Sequence, residues 1–404
     1  SPLFPLGHGK RILFKERYIS LMKSNSRLWP KSSWEDGLTP LGLPENSQPH
    51  FKTFITIDDD RFEPKGKDLM ENIRAKLLSR HYSLQPIVGH DLRAQLEGLN
   101  VAGSIKFSAA WSMINDAKQR GLIQDDTILI ESTSGNLGVA LAILAAREDI
   151  RFVCVVDPRC NHLTYTKLKA LGATIEMVKE PDPAGGFLQA RRNRVLELCQ
   201  GDDRYFWLNQ HQNHANSLAH YQMTAPELVA TNPDLQVLFV GVGTSGTAMG
   251  SARYLRETMP HVRVVGIDTT GSVTFGTEPS RRLIPGLGAG VAPRIFDPDL
   301  LDDMVHVDEI DAIRMCRTMA VRGLLLGGSS GTVVAGAVQW LDTYDPGRTL
   351  VSTTIAPDMG DAYLATIYDD VWVRRNYPPI ALLPLTAGNP PMRPVSVVQR
   401  KSPL

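Results

Sequence analysis

The chain is short of several things, and each shortage narrows its function. Lys and Arg number 43, as do Asp and Glu, so neither sign of charge is in excess. That balance gives no electrostatic reason to expect nucleic acid or an anionic membrane surface as a partner. No apolar run approaches the ~20 residues that a membrane-spanning helix requires. With no signal-peptide pattern visible either, the expectation is a cytoplasmic protein that acts on small molecules. Cysteines are few: Cys154, Cys160, Cys199 and Cys316. Their spacing matches no metal-ligand set, and three lie in apolar segments, as buried free thiols do. His211 and His214 have no third ligand nearby, so no metal is expected.

What is present is enough chain, 404 residues, for a full core in two lobes. Residues 1–82 read as an N-terminal extension, interrupted by Pro2, Pro5, Pro30, Pro40 and Pro44 and by the charged stretch Asp58–Arg61. Within it, Leu69, Ile73, Leu77 and Leu78 fall on one face of a helix expected over 67–80. This extension either packs on the main body or a partner subunit, or forms a disordered arm. Residues 83–378 form the main domain, with a smaller lobe at roughly 103–210 and a larger lobe in the remainder. Apolar runs such as Phe152–Val156 and Val237–Val240 alternate with helical patterns such as Leu137–Arg147 and Ala215–Ala230. That alternation predicts an α/β fold of parallel-type sheets covered by helices. Residues 379–404 are proline-rich and read as an extended or disordered tail.

The chemistry centres on Gly98–Trp111, which holds Lys106 among small and apolar residues with Asn100 and Ser104 close by. Burial disfavours an ammonium, so a lysine here can present a free amine able to form a Schiff base. Glycine- and hydroxyl-rich turns punctuate the α/β pattern. Glu131–Gly138 gathers Thr133, Ser134, Gly135 and Asn136 at a helix start, where free N–H groups suit a carboxylate. Gly241–Thr247 follows a strand, and its Gly243, Thr244, Ser245, Gly246 and Thr247 suit a phosphate monoester. It lacks both the P-loop ending and the dinucleotide spacing. Two more turns are Leu326–Thr332 and Pro285–Gly290, the second a candidate mobile loop. Taken singly, each turn can also be an ordinary capped helix or glycine turn.

Together, Asn100–Lys106, Thr133–Asn136, Gly243–Thr247 and Gly327–Gly331 resemble, in order and spacing, the fold-type II pyridoxal-phosphate enzymes. The likeness covers residues 84–378 and is strongest to the cysteine synthase and cystathionine β-synthase group. It implies a two-lobed fold with pyridoxal 5'-phosphate between the lobes. Lys106 would hold the cofactor covalently, and Asn136 would meet its ring hydroxyl. Gly243, Thr244, Ser245, Gly246 and Thr247 would cup its phosphate, and Ser329 would face its ring nitrogen. Thr133, Ser134, Gly135 and Gln210 would take the substrate carboxylate. A homodimer acting on amino acids is also implied.

Leu137 stands where cysteine synthases have a threonine. Gly98–Lys106, Ser134–Gly138, Cys154–Pro158 and Asp358–Leu364 are most similar to one sub-branch, the N-(2-amino-2-carboxyethyl)-glutamate synthases, which make 2,3-diaminopropionate precursors. The resemblance then implies β-replacement on O-phosphoserine or a similar serine ester, through an aminoacrylate, with an amine such as glutamate as nucleophile. Arg282, beside the Gly286–Gly290 loop, is a candidate for a substrate carboxylate or phosphate. A neutral Ser329 would not enforce a protonated ring as an aspartate would. The alternatives are a cysteine synthase using sulfide and a catalytically idle cofactor-binding partner protein.

Overall fold

Near-continuous runs of Val, Ile, Leu and Phe produce strands buried on both faces, which only parallel sheets covered by helices provide. The computed structural model of the chain describes residues 80–182, 186–386 and 391–401. β1 (His81–Ser83) and β2 (Leu92–Leu96) come first, followed by α1 (Lys106–Gln119). A strand–helix alternation then runs through β3 (Ile128–Ser132), α2 (Asn136–Arg147), β4 (Arg151–Val156), α3 (His162–Ala170) and β5 (Thr174–Met177). It ends with α4 (Leu188–Gly201) and β6 (Tyr205–Trp207). Next are α5 (His214–Ala219), a π-helical turn over His220–Thr224, and α6 (Ala225–Thr231). The chain continues as β7 (Val237–Gly241), α7 (Gly246–Thr258), β8 (Arg263–Thr269) and β9 (Asp303–Val307). It closes with α8 (Glu309–Ala320), α9 (Gly328–Tyr344), β10 (Ser352–Ala356), α10 (Asp370–Asn376) and β11 (Ser396–Arg400).

Two sheets result. The smaller has the order β5-β4-β3-β6 and is parallel throughout. The larger has the order β1-β2-β10-β7-β8-β9-β11, parallel in its interior and antiparallel at both edges. α9 lies against the larger sheet, where its Val333, Val334, Ala337 and Trp340 join Phe239, Val265 and Ile267 in one core. α1 and α2 supply Ala110, Met113, Leu141 and Leu144 to the core of the smaller lobe. This is the expected two-lobed α/β fold. The chain enters the larger sheet, crosses to build the smaller one, and returns at β7.

Three readings change. The tail expected to be extended or disordered contributes β11, whose Val397 pairs with Val305 of β9. The helix expected over Ala215–Ala230 is interrupted by the π turn. Pro226 has no N–H to give to the preceding turn, and the Ala225 N–H reaches back to the His220 carbonyl instead. β2 and β9 had no strong strand pattern, because Arg93, Gln95, Asp303 and His306 interrupt their apolar runs. The helix expected over 67–80 lies, but for Arg80, outside the described residues.

Candidate active site

Lys106 is the first residue of α1. Asn100 shapes the turn before it: its Nδ2 donates to the carbonyls of Glu97 (2.7 Å) and Ser104 (2.8 Å), and its Oδ1 accepts from the Ala102 N–H (2.9 Å). The Ile105 N–H then donates to the Pro357 carbonyl at 2.7 Å, fixing α1 to the segment after β10. Burial drives the Lys106 amine down to about 8, against the opposing pull of the Asp358 carboxylate. The sequence expectation of a depressed lysine therefore has a structural cause.

At the start of α2, Thr133 is buried while Ser134, Gly135 and Asn136 are partly open. Two buried ionic groups back this loop. Glu131 at the end of β3 accepts from the Ser132 N–H (2.9 Å), Trp207 Nε1 (3.2 Å) and the Gln210 N–H (3.2 Å). It thereby joins Gln210 to the loop from which it is distant in sequence. Burial outweighs these donors and pushes the Glu131 carboxyl up to about 7. Arg191 on α4 donates from Nη1 to Ser134 Oγ (3.0 Å) and faces Asp157 Oδ2 at 3.3 Å. Its side chain is only 11% exposed, and its Nε has no partner. His211, near Lys106, Arg191 and Arg192, is driven by burial down to about 4 and is neutral at physiological pH.

The turn at 243–247 caps α7. Gly243 passes so close to the next loop that a Cβ there would meet the Gly286 carbonyl oxygen at 2.8 Å. Ser245, the N-cap, has a left-handed φ of 72°, a strained state for a serine. Its Oγ is buried without a partner. Asn216 Nδ2 donates to Thr244 Oγ1 (3.1 Å) and to the Gln210 carbonyl (2.9 Å), joining the cup to the Gln210 loop. Thr247 Oγ1 lies 3.3 Å from His220 Nε2 in the π turn. The first-turn N–H groups of α7 have no intrahelical acceptor.

Opposite, α9 begins at Gly328, with Ser329 and Ser330 both buried. Asp358 lies at this junction. Its Oδ1 accepts from the Ser330 N–H (3.0 Å), and its Oδ2 from Tyr363 (2.6 Å) and Asn136 Nδ2 (3.4 Å). Ser330 is thus committed to Asp358, while Ser329 lies beneath Gly286. Lys106, Asn136, the 243–247 cup and Ser329 are linked through Asp358 and the 286 loop, and Gln210 joins them through Asn216. Arg282 is on the larger-lobe side, tucked beneath Gly288 and attracted by the buried Asp268. Arg191 stands instead behind Ser134. Sequence reasoning gave no role to Glu131, Arg191, Asn216, His220, Asp358 or Tyr363. Glu131, Asp358 and Tyr363 stood inside quoted motifs, a signal that could have found them.

Residues 73–354 match the family model described as pyridoxal-phosphate dependent enzyme, and the chain belongs to that family. Among the solved structures similar to it, three carry informative names. O-ureido-L-serine synthase is 30% identical with a TM-score of 0.64, over 69% of this chain and 88% of its own. An O-acetylserine dependent cystathionine β-synthase from Helicobacter pylori is 29% identical with a TM-score of 0.65, over 72% and 94%. A hydrogen sulfide-producing enzyme from Fusobacterium nucleatum is 28% identical with a TM-score of 0.63, over 68% and 91%. The protein is therefore a pyridoxal-phosphate-dependent enzyme of fold type II. Its residues fit the cofactor on their own terms: the Ser245 hydroxyl is unpartnered beside free N–H groups, and a half-buried lysine with a depressed pKa has no hydrogen-bond partner among the described residues.

Proposed function

We propose that the enzyme replaces the β-substituent of an activated serine, O-phosphoserine or a similar ester, with an amine such as glutamate. The product is a precursor of 2,3-diaminopropionate. Arg191 carries the reading: a buried guanidinium behind the carboxylate-binding loop with donor capacity left over. An arginine fork in that place suits a second oxyanion, either a phosphate leaving group or a nucleophile's carboxylate. Leu137 supports it, because a 3%-exposed core side chain gives the loop no hydroxyl.

Bound pyridoxal phosphate supplies the electron sink that makes the α-proton acidic and lets the β-substituent leave. Lys106 would hold the cofactor and, with an amine near 8, would accept the α-proton once released. His211 stays neutral beside it and adds no charge that would suppress its basicity further. Thr133, Ser134 and the Gly135 and Asn136 backbone would bind the substrate carboxylate, the Asn136 side chain being kept for the ring hydroxyl, with Gln210 held in place by Glu131 and Asn216. The homodimer implied by the resemblance belongs to this reading and is checked by light scattering.

Mass spectrometry of products from O-phosphoserine or O-acetylserine, each with glutamate or sulfide, tests the proposal. The expected major product is carbon–nitrogen-linked and formed from O-phosphoserine. Arg191→Ala should raise the O-phosphoserine KM by about 10–100-fold, the loss of one or two charge-assisted hydrogen bonds. The O-acetylserine KM should move far less. Sulfide preferred with every donor would favour the second reading, a sulfide-using synthase, which the similarity to a hydrogen sulfide-producing enzyme supports.

A further inference from the structure

The loop Pro285–Gly290, a candidate mobile one by its sequence, is fastened at both ends. At its far end the Ala289 N–H donates to Ser272 Oγ (2.9 Å), and the Ala289 carbonyl accepts from the Val273 N–H (3.0 Å). At its near end the fastening comes from Glu309, the first residue of α8. Glu309 Oε1 accepts from two consecutive N–H groups, Leu283 (2.8 Å) and Ile284 (2.6 Å). Its Oε2 accepts from the Tyr377 hydroxyl at 2.7 Å. One half-buried carboxylate thus grips two amides with one oxygen and is itself gripped by a phenol at the other. A negative charge is favoured in the first turn of a helix, and hydrogen bonds to a carboxylate are stronger than neutral ones.

What this staple controls is Gly286. Its φ of 111° is left-handed, and a Cβ there would collide with Ser329 Oγ. On the other side, the Gly286 carbonyl oxygen would meet a Cβ at Gly243 at 2.8 Å. Gly286 is therefore wedged between the cup and the start of α9. It has no side chain to fix its own place, so its height is set by the residues before it. The nearest of these with an N–H to give is Ile284, stapled to Glu309 and buried against Gly328.

We propose that Glu309, oriented by Tyr377, is a positioning residue: it sets the height of the 286 loop and with it the seat of the cofactor ring between the cup and Ser329. The inference goes beyond the reaction assigned above and does not depend on which nucleophile is used. The partners of Glu309 lie in the larger lobe, away from the 133–136 loop assigned to the substrate carboxylate. Its loss should therefore act on kcat and not on the donor KM.

The test combines hydrogen exchange of the cofactor-free chain, read by mass spectrometry, with kcat and KM of the holoenzyme on its preferred donor and nucleophile. Glu309→Ala should speed exchange at 283 and 284 by at least about 10-fold, since both amides lose a charged acceptor. It should lower kcat by about 10–100-fold, the effect of a slight misplacement of reacting groups. The donor KM should stay within about 2-fold. Glu309→Gln, whose amide oxygen still accepts both N–H groups, should recover most of kcat. Tyr377→Phe frees only the second oxygen and should lower kcat by about 2–10-fold at unchanged KM. Faster exchange with unchanged kcat overturns the proposal. So does a joint change of kcat and KM with a fall in melting temperature, the pattern of general loosening. Should Glu309→Ala not fold, Tyr377→Phe decides, and an unchanged kcat there overturns the proposal. Because the preferred substrates are used whatever they are, a failed substrate assignment leaves this test intact.

Discussion

The cup at 243–247 and the loop at 133–136 both open a helix after a parallel strand, yet they are backed by opposite kinds of group. Behind the cup stand Asn216 and His220, and burial holds that histidine neutral, down to about 3. Behind the loop stand Glu131, Arg191, Asp157 and, through Asn136, Asp358. A phosphate monoester brings a fixed charge that many N–H and O–H donors can share. An amino-acid substrate brings charges that must be matched, oriented and released. On the proposed assignment, the difference divides the cleft into an end that holds the cofactor and an end that discriminates among substrates.

Lys106 lies between these ends, and its removal should have the largest effect. Lys106→Ala should abolish the borohydride-reducible link between protein and cofactor and lower kcat by at least about 10²–10⁴-fold, the range of a lost general base. Because the cup is built separately, the variant should still retain pyridoxal phosphate noncovalently, measured by equilibrium dialysis. Loss of all retention would show that the cup cannot hold without the lysine, and the two ends would not be separable.

The next prediction sharpens the charged end. Burial raises the Glu131 carboxyl from 4.5 to about 7, so between those values the folded protein binds a proton that the unfolded chain has released. Its contribution to stability is full below pH 4.5 and lost as the pH rises to 7. Glu131→Gln cannot titrate. Its unfolding free energy should therefore rise relative to wild type, by on the order of 1–3 kcal/mol, between pH 4.5 and 7.5. Urea melts at four pH values in that window read this directly. Parallel curves would mean that the three donors keep Glu131 ionised throughout.

The two ends also differed in how far the sequence displayed them. The cup was legible because its glycines and hydroxyls are contiguous and follow a strand. Lys106, Asn136 and Ser329 stood out as candidates for the same reason, each inside a dense local motif. The charged partners were not. Arg191 lies 57 residues from Ser134, and Asp358 lies 222 from Asn136. A single Arg or Asp on a helix or after a strand has the same local pattern whether it faces water or a buried loop. The sheets were legible where apolar runs were unbroken. β11 was hidden by the prolines before it, and β2 by alternating polar residues that burial alone makes intelligible.

The smallest effect comes from the neutral end and turns on Ser245. Its hydroxyl is buried without a partner at a strained, left-handed N-cap. Within the protein alone this arrangement gains nothing, since an unpaired buried hydroxyl and a positive φ both cost free energy. A phosphate oxygen would supply the missing acceptor. Ser245→Ala should leave the melting temperature of the cofactor-free protein unchanged or slightly raised, because no protein bond is lost. Its cofactor Kd should increase by about 10-fold, one charge-assisted hydrogen bond to a phosphate oxygen at the low end of its range, about 1.5 kcal/mol. That increase should be the same at pH 7.5 and pH 8.5, where the phosphate is a dianion and, among the described residues, Asn216 and His220 behind the cup do not titrate, in contrast to Glu131 at the other end. A fall in the stability of the cofactor-free variant would show that the hydroxyl already has a structural duty. An affinity loss that changes with pH would bring a titrating group to the cup and erase the division between the two ends.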